Sequence, residues 1–282
     1  MSVKVPESRF VDVAGTAIHY HDMGQGPVLI MLHGSGPGAS GWSNYNRNAE
    51  QLSRSWRVII PDLPGFGKSD MKPVDGAIPG WWANAVVGLM DGLGIEKASF
   101  VGNSMGGMVT LKIALTNPDR VDRMVLMGPG GGTPVFSIWP TPPIITLMTA
   151  YEGEGINAAK VRAFISACLY DQSVITDELI AQRLEAALDP RIVAQPPMRI
   201  GPAGPFEELW RDPAMGKLQH QTLIIWGRED RVLPLDTGMI LLKQLPNAQL
   251  QVFPKCGHWA QWEHPGRFNR VVASFLAAEG DN

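Results

Sequence analysis

A serine lies in the middle of the glycine-rich pentapeptide Gly102-Asn103-Ser104-Met105-Gly106. The apolar run 98–101 before it predicts a strand, and the pattern after it predicts a helix. G-x-S-x-G between strand and helix is typical of a nucleophilic serine on a sharp turn, where the flanking positions have no room for a Cβ. The helix N-terminus favours negative charge near Ser104. Because glycine-rich turns also carry inert serines, the partners of Ser104 must decide.

The first partner is a base, because a serine hydroxyl is a weak nucleophile until an oriented base takes its proton. In an open parallel sheet, such groups collect at the carboxyl ends of the strands. His258 lies just past a predicted strand over residues 249–253, and we predict that it is the base. The other histidines lie in the N-terminal hairpin, in a glycine-rich loop that favours a structural role, before a strand or at the start of the last helix (His19, His21, His33, His220, His264).

The acid that orients the base should end an earlier strand. The buried run over residues 222–226 leads into Gly227-Arg228-Glu229-Asp230, which offers two carboxylates. We favour Asp230, because the fourth residue of this stretch is delivered back towards the sheet, and we keep Glu229 as the alternative. The chain order serine, aspartate, histidine is that of the α/β-hydrolases.

Acyl transfer also needs donors for a developing oxyanion. One is the backbone N–H of the residue after the nucleophile, Met105, and the other comes from the loop after an early strand. The stretch His33-Gly34-Ser35-Gly36 supplies that loop, with Ser35 or Gly36 as the donor.

These residues need a sheet to position them. Residues 9–13 and 17–22 alternate around a glycine turn and predict a β-hairpin. Downstream, apolar runs typical of buried strands alternate with helical patterns, which indicates a mostly parallel sheet with right-handed crossovers. The predicted strands are 28–32, 57–60, 98–101, 123–127, 222–226 and 249–253, and the predicted helices are 44–53, 80–93, 236–244 and 265–278.

The alternation stops between residues 133 and 213. Helical segments over 155–170 and 176–188 lie there among prolines, with no strand-like run. We predict an α/β-hydrolase fold with a core formed by residues 1–132 and 214–282 and an inserted helical lid over 133–213. Apolar lid residues favour an apolar substrate group on the acyl side (Ile144, Leu147, Met148, Phe164, Leu169, Met198).

Composition excludes several other classes of function. The chain has 282 residues and a net charge of −3. It contains no run of Lys and Arg, so the sequence does not indicate a nucleic-acid partner. No stretch approaches the length of a membrane span, and the N-terminus lacks the apolar region of a secretory signal. Two cysteines do not make a disulfide framework, so we expect a cytoplasmic protein. No Cys/His cluster has zinc spacing, so we expect no metal.

The stretch Gly36-Pro37-Gly38-Ala39-Ser40-Gly41 matches the dinucleotide motif G-x-G-x-x-G, and Asp62 ends the next predicted strand, where a ribose-binding acid could lie. The residues after Gly41 start a helix poorly, however, and a dinucleotide site leaves the serine, acid and histidine unexplained. We therefore set this interpretation aside.

Three segments together resemble the meta-cleavage product hydrolases. They are His33-Gly-Ser-Gly-Pro-Gly-Ala-Ser-Gly-Trp-Ser-Asn44, Gly102-Asn-Ser-Met-Gly-Gly107 and Gly257-His-Trp-Ala-Gln-Trp-Glu-His264. The resemblance runs along nearly the whole chain, including the lid. Those enzymes are α/β-hydrolases that break a carbon–carbon bond in 2-hydroxy-6-oxo-hexa-2,4-dienoates, the ring-opened products of extradiol catechol cleavage.

The resemblance implies that five residues surround the dienoate end of the substrate: Gly34, Asn44, Asn103, Arg183 and Trp259. It also implies attack by Ser104 on a ketonised substrate, no cofactor, a small-molecule dienoate as the partner and a homo-oligomer.

Arg183 suits this role because a planar guanidinium binds a carboxylate through two hydrogen bonds. Its own pattern instead predicts a solvated helix arginine near Glu178 or Glu185.

Two other functions stay open at this point. A carboxylesterase or lactonase could share this fold and these catalytic residues, and activity on simple esters but not on dienoates would identify it. A non-catalytic receptor on a hydrolase scaffold is the second alternative, and it would bind ligand without turnover. The intact set of serine, acid and histidine argues against the receptor.

Overall fold

The computed structural model describes residues 5–72, 78–134, 136–198 and 208–278. Residue 135 and residues 199–207, which belong to the predicted lid, lie outside these ranges.

The described residues form an eight-stranded sheet in the order β1-β2-β4-β3-β5-β6-β7-β8. The hairpin β1–β2 and the pairing of β2 with β4 are antiparallel, and every other pairing is parallel. The predicted hairpin and the mostly parallel sheet are therefore confirmed. The strands are β1 (Arg9–Val13), β2 (Thr16–Met23), β3 (Val28–Leu32), β4 (Arg57–Pro61), β5 (Ala98–Asn103), β6 (Val121–Met127), β7 (Thr222–Gly227) and β8 (Ala248–Phe253).

Helices cover both faces of the sheet. They are α1 (Gly41–Tyr45), α2 (Ala49–Leu52), α3 (Ile78–Gly92), α4 (Met105–Thr116), α5 (Pro142–Met148), α6 (Ala158–Cys168), α7 (Asp177–Ala187), α8 (Pro190–Ala194), α9 (Leu235–Gln244), α10 (Ala260–Glu263) and α11 (Pro265–Ala277). Short 3₁₀ helices span Pro118–Arg120, Gln172–Val174, Leu209–Arg211 and Pro213–Lys217.

Successive residues of the parallel strands point to opposite faces of the sheet and enter two separate apolar clusters. Leu29 and Val101 pack with α1, α2 and α11 on one face. Ile30 and Phe100 pack with α3 and α4 on the other face. Because both faces are covered, the strands read as continuous apolar runs in the sequence.

The prediction of a single helix over residues 44–53 is wrong. Two short helices replace it, and Ser40 caps the first with its side chain. Between them, the fully buried side chain of Asn48 donates to the carbonyl of Gln261 at 3.0 Å and to Asn269 Oδ1 at 2.9 Å. These bonds tie the break to α10 and α11, which local periodicity cannot show.

The segment between β6 and β7, called the insertion below, has no strand among its described residues. Two of its helices match the predicted ones, and two more, α5 and α8, begin with a proline that the sequence pattern places in loops. Leu147 and Phe164 of the insertion belong to the same buried cluster as α3 and α4. We propose that residues 133–213 of the insertion act as the lid.

Candidate active site

Ser104 lies between β5 and α4 in a backbone conformation that side chains rarely adopt, with φ 52° and ψ −114°. Its N–H donates to the carbonyl of Met127 on β6 at 2.9 Å. A Cβ on Gly106 would lie 2.1 Å from the carbonyl oxygen of Leu32, and one on Gly102 would lie 2.5 Å from the carbonyl oxygen of Gly106. The two glycines of the pentapeptide therefore allow the strained serine turn to pack against β3.

His258 and Asp230 form a buried pair at the carboxyl ends of β8 and β7. His258 Nδ1 lies 2.7 Å from Asp230 Oδ2, and both side chains are nearly inaccessible to solvent. Asp230 Oδ1 accepts from the amides of Val232 at 2.8 Å and Leu233 at 3.0 Å. Because a carboxylate oxygen can only accept a hydrogen bond, the proton of this contact lies on His258 Nδ1.

His258 Nε2 is buried and has no hydrogen-bond partner among the described residues. An unprotonated ring nitrogen in that position is free to take a proton. The backbone of the His258 loop lies close to Ser104, because the preceding residue, Asn103, donates through Nδ2 to the carbonyl of His258 at 3.5 Å and to that of Met127 at 3.3 Å. Gly128 follows Met127, and a Cβ at this position would lie only 3.1 Å from the His258 imidazole.

Glu229, the alternative acid, has different partners. Its carboxylate accepts from the amide of Cys256 at 3.0 Å and pairs with Arg228 at 2.7 Å. The structure therefore places Asp230, and not Glu229, on the imidazole of His258.

The loop after β3 lies directly against Ser104. A Cβ on Gly34 would lie 3.2 Å from that of Ser104, and the Gly34 amide donates to Asn44 Oδ1 at 3.3 Å. The amides of Ser35 and Gly36 make no hydrogen bond to another described residue. Together with the Met105 amide in the first turn of α4, they are the candidates for the oxyanion donors.

His33 has the structural role that the sequence predicts. Its Nε2 accepts from the Leu63 amide at 3.0 Å, so Nδ1 carries the proton and donates to the carbonyl of Gly34 at 2.8 Å. Burial lowers the pKa of His33, which keeps the ring neutral. The imidazole thus holds the loop that carries the predicted oxyanion donors.

The G-x-G-x-x-G loop is held by the protein itself. Asp62 accepts from the Gly41 amide at 2.7 Å, from the Lys68 amide at 2.9 Å and from His19 Nδ1 at 2.8 Å. A Cβ on Gly38 would lie 2.2 Å from the carbonyl oxygen of Arg183. Asp62 is committed to these bonds and the loop packs on the insertion, which excludes a ribose contact here.

Arg183 is buried, so the prediction of a solvated arginine from its helical pattern is wrong. Its Nε donates to the carbonyl of Pro37 at 3.0 Å and its Nη1 to Ser43 Oγ at 3.0 Å. Nη2 is buried with no hydrogen-bond partner in the described chain. Burial lowers the pKa of the guanidinium to about 10, which still leaves it charged at neutral pH. None of the described carboxylates pairs with it, so its charge can meet an anionic ligand.

The remaining residues implied by the resemblance are also buried. Asn103 Oδ1 has no partner in the described chain. The ring of Trp259 lies 5.6 Å from the Arg183 guanidinium and edge-on to Phe164, with the ring centroids 6.5 Å apart. Asn44 is committed to the Gly34 amide. Asn103 bonds the backbone of His258, and Arg183 lies against the neighbouring Trp259. The structure thus brings these three residues close to the His258–Asp230 pair.

Sequence reasoning missed Glu263, which accepts from the amide of Gly257 in the His258 loop and from that of Tyr170 in the insertion. Its only signal in the sequence is its place in the Gly257–His264 segment that carries the family resemblance.

The described residues contain no group of three or more His, Cys, Asp and Glu side chains arranged to hold a metal ion. None of the helices in the same ranges combines the length and apolarity that a membrane crossing requires.

The sequence pattern of the alpha/beta hydrolase fold family matches residues 27–265. The chain is 44% identical to a 2-hydroxy-6-oxo-6-phenylhexa-2,4-dienoate hydrolase of Burkholderia cepacia, over 92% of this chain and 91% of that protein. It is also 44% identical to a 2-hydroxy-6-oxononadienedioate/2-hydroxy-6-oxononatrienedioate hydrolase of Comamonas testosteroni, with the same coverage.

Solved structures agree with this relationship. A meta-cleavage product hydrolase from Pseudomonas fluorescens IP01 superposes with a TM-score of 0.84 at 36% identity, covering 95% of this chain and 97% of that one. The 2-hydroxy-6-oxo-6-phenylhexa-2,4-dienoate hydrolase of Rhodococcus sp. strain RHA1 gives 0.83 at 33% identity, covering 96% of this chain and 100% of that one. With the sequence relatives, these similarities establish that the chain belongs to the meta-cleavage product hydrolase family of α/β-hydrolases.

Proposed function

We propose that this protein hydrolyses the C5–C6 bond of a 2-hydroxy-6-oxo-hexa-2,4-dienoate to give 2-hydroxypenta-2,4-dienoate and a carboxylic acid. The observation that carries the proposal is the buried guanidinium of Arg183, whose Nη2 has no partner in the described chain. A buried cation with a free donor suits a substrate that brings its own carboxylate, and a simple ester brings none.

The first step is ketonisation of the substrate. A proton moves to C5 and the 2-hydroxyl becomes a carbonyl, so the substrate gains a group that can accept the electron pair of the C5–C6 bond. Arg183 holds the C1 carboxylate and Trp259 packs against that end of the substrate. No cofactor is required, because the substrate supplies its own electron sink.

In the second step Ser104 attacks the C6 carbonyl while His258 Nε2 takes the serine proton. Asp230 keeps the imidazole in the tautomer that can accept it and stabilises the imidazolium that forms. The oxyanion on C6 is stabilised by the amide of Met105 and by that of Ser35 or Gly36.

Collapse of the tetrahedral intermediate breaks the C5–C6 bond, and the electron pair passes into the dienolate. The acyl group stays on Ser104 and the dienolate takes up a proton to leave as 2-hydroxypenta-2,4-dienoate. Water, activated by His258, then attacks the acyl-enzyme, releasing the carboxylic acid and restoring the serine.

We propose an apolar C6 substituent. Leu147 and Phe164 of the insertion are buried, and Leu147 lines a small apolar cavity of about 10 Å³ together with Gly36 of the oxyanion loop and Met198. The two relatives of equal identity differ here, because one is named for a phenyl dienoate and the other for dioic acids. Apolar walls favour the uncharged group, since a second carboxylate would lose its hydration there.

The test measures turnover of a panel of dienoates bearing methyl, propyl, phenyl and carboxyethyl groups at C6, through the loss of their yellow absorbance. Turnover of p-nitrophenyl esters is measured in parallel. We expect kcat/KM to be highest for one of the dienoates whose C6 substituent is uncharged. Turnover of the esters alone would identify an esterase and refute the proposal. A preference for the carboxyethyl dienoate would refute only the assignment of the C6 group.

We also propose that the protein works in the cytoplasm as a homo-oligomer. The two cysteines, Cys168 and Cys256, are buried free thiols, which suits a reducing compartment. Light scattering coupled to size-exclusion chromatography tests the oligomeric state, and a mass near 31 kDa, the 30.7 kDa of one chain, would contradict it.

A further inference from the structure

The loop that carries His258 runs along the C-terminal end of α6 in the insertion. The backbone N–H of His258 donates to the carbonyl of Cys168 at 2.7 Å. A Cβ on Gly257 would lie 2.4 Å from that same oxygen and 3.1 Å from the Tyr170 amide nitrogen. The backbone of the catalytic base is therefore in direct contact with residues 166–171, called the α6 exit here.

A single carboxylate joins the two segments. Glu263, the last residue of α10, accepts from the Gly257 amide through Oε1 at 2.6 Å. Its other oxygen, Oε2, accepts from the amides of Tyr170 at 2.7 Å and Asp171 at 3.2 Å. One oxygen is thus bound to the residue before the base and the other to the α6 exit.

The loop of the acid contacts the same place. Arg231 follows Asp230, and its Nη2 donates to the carbonyl of Leu169 at 2.9 Å and to that of Ser166. Both loops that carry the His258–Asp230 pair are therefore attached to the α6 exit, one through Arg231 and the other through Glu263.

The partners of Glu263 explain why a carboxylate is needed. No described cation forms an ion pair with Glu263, and three backbone amides donate to its carboxylate instead. Burial raises the pKa of Glu263, and the amides of Gly257, Tyr170 and Asp171, with nearby His264, oppose that rise. A glutamine has one acceptor oxygen and would turn an NH₂ group towards an N–H donor on one of the two sides.

We propose that Glu263 is a positioning residue for the hydrolysis, which fixes the His258 loop to the α6 exit and so keeps the base aligned while the insertion covers the site. This inference rests on the proposed role of His258 as the base. It assigns to Glu263 no contact with the substrate.

The test compares Glu263→Gln with Glu229→Gln. Glu229 also accepts from an amide of this loop, that of Cys256, but makes no hydrogen bond or ion pair with a described residue of the insertion, so it is a matched control. For Glu263→Gln we expect kcat to fall about 10- to 100-fold, the size of a misplaced catalytic group, on both a dienoate and p-nitrophenyl acetate. KM for the dienoate should change less than about threefold, because Arg183 is intact.

Glu263→Asp keeps two acceptor oxygens and should recover part of the lost kcat, which a general loss of folding would not predict. The Glu229→Gln variant should keep kcat within about threefold of the parent protein. A Glu263→Gln variant with unchanged kcat, a rise in KM alone, or an equal loss in the Glu229 control would overturn the proposal.

If Glu263→Gln does not fold, Asp171→Pro and Asp171→Ala decide the matter. Both remove the Asp171 side chain, but only proline removes the N–H that donates to Glu263, and the φ of −82° at this position suits proline. We expect a lower kcat for the proline variant, and equal values would refute the role. If the parent protein turns over no dienoate, the proposed function fails, whereas the ester assay still decides the role of Glu263.

Discussion

The molecule contains two buried histidine–aspartate pairs of nearly the same geometry. His258 Nδ1 lies 2.7 Å from Asp230 Oδ2, and His19 Nδ1 lies 2.8 Å from Asp62 Oδ2. All four side chains are at most 4% exposed. In each pair, the Nε2 atom of the histidine is buried without a hydrogen-bond partner among the described residues. By the pair alone, either could be the base and acid of a catalytic triad.

Their surroundings differ. The His258 pair stands at the carboxyl ends of the parallel strands β7 and β8, and its loop touches Asn103 beside the nucleophile. His19 lies on the antiparallel strand β2, between the rings of Phe10 and His21. Asp62 also binds the amides of Gly41 and Lys68, which tie the loops after β3 and β4 together. We therefore propose that the His258 pair serves a reacting serine, whereas the bonds of the Asp62 pair hold the neighbouring loops together.

The lesson is that a buried histidine–carboxylate contact does not identify a catalytic base. The strand end on which it lies and its distance from a nucleophile do. Variants that act on one pair and leave the other intact test whether the two pairs have different roles.

The largest effect should follow Ser104→Ala, which removes the nucleophile and leaves both pairs in place. We expect kcat on the dienoate to fall about 10⁵- to 10⁶-fold, while the yellow substrate still binds. Single-turnover absorbance and a binding titration measure the two quantities. Ser99→Ala is the control, because Ser99 lies on β5, which leads to Ser104, and bonds Asp122 at 3.0 Å. Near-normal turnover in the Ser104 variant would show that Ser104 is not the nucleophile.

The second test replaces each aspartate by asparagine. Asp230→Asn should lower kcat about 10⁴-fold, because an asparagine no longer fixes the tautomer of His258. Asp62→Asn should lower kcat less than about tenfold, since Asp62 acts on the loops and not on the base. Steady-state kinetics with a dienoate compares the two variants, and similar losses in both would show that the two pairs are not functionally distinct.

A smaller loss, confined to one class of substrate, is expected from Arg183→Ala. Removing the buried cation should lower kcat/KM for the dienoate about 100-fold. A p-nitrophenyl ester has no carboxylate to lose, so its kcat/KM should change little. Arg162→Ala, an exposed arginine of α6 paired with Asp177, provides the control. Equal losses on dienoate and ester would contradict the carboxylate role.

The smallest effect concerns stability and distinguishes the structural pair. Burial alone would raise the pKa of Asp62, but the hydrogen bond from His19, the nearby His33 and the Lys68 amide bring it below its ordinary value. A carboxylate with a depressed pKa stabilises the fold above its unfolded pKa of about 4, and this stability is lost as the pH falls through the folded pKa.

At pH 7 the free energy of unfolding of Asp62→Asn should therefore be about 1–3 kcal/mol lower than that of the parent protein, because donors that bond the carboxylate lose their acceptor. Its deficit relative to the parent protein should shrink as the pH falls below 4. Denaturant unfolding between pH 7 and pH 3 measures both quantities. A deficit that stays constant over this range would show that the ionised carboxylate is not the source of the stability.

Much of the fold follows from local sequence. Residues buried on both faces of a parallel sheet form continuous apolar runs, so the strands around Phe100 and Ile224 could be placed to within a few residues. The contact between His258 and Asp230, the proposed partners of Ser104, was predicted for a related reason, because the carboxyl ends of such strands meet at one edge. The choice between Glu229 and Asp230 needed the structure, since adjacent residues in a turn point in different directions.

The rest depends on contacts between distant segments. Arg183 has the sequence pattern of an exposed residue, and it is buried because Pro37 of the loop after β3 and Ser43 of α1 pack against it. The break between α1 and α2 depends on Asn48 reaching α10 and α11. Periodicity reports which face of an element is apolar, but it cannot report which distant segment covers a polar residue.

The most direct test of the central claim is the rate at which a serine-directed phosphonate labels Ser104, with the labelled peptide identified by mass spectrometry. The parent protein and Asp62→Asn should be labelled on Ser104 at rates within about threefold of each other. Asp230→Asn should be labelled at least about 10³-fold more slowly, because in the proposed mechanism His258 activates the serine only while Asp230 holds it. Labelling of another serine, or an undiminished rate in Asp230→Asn, would contradict the account.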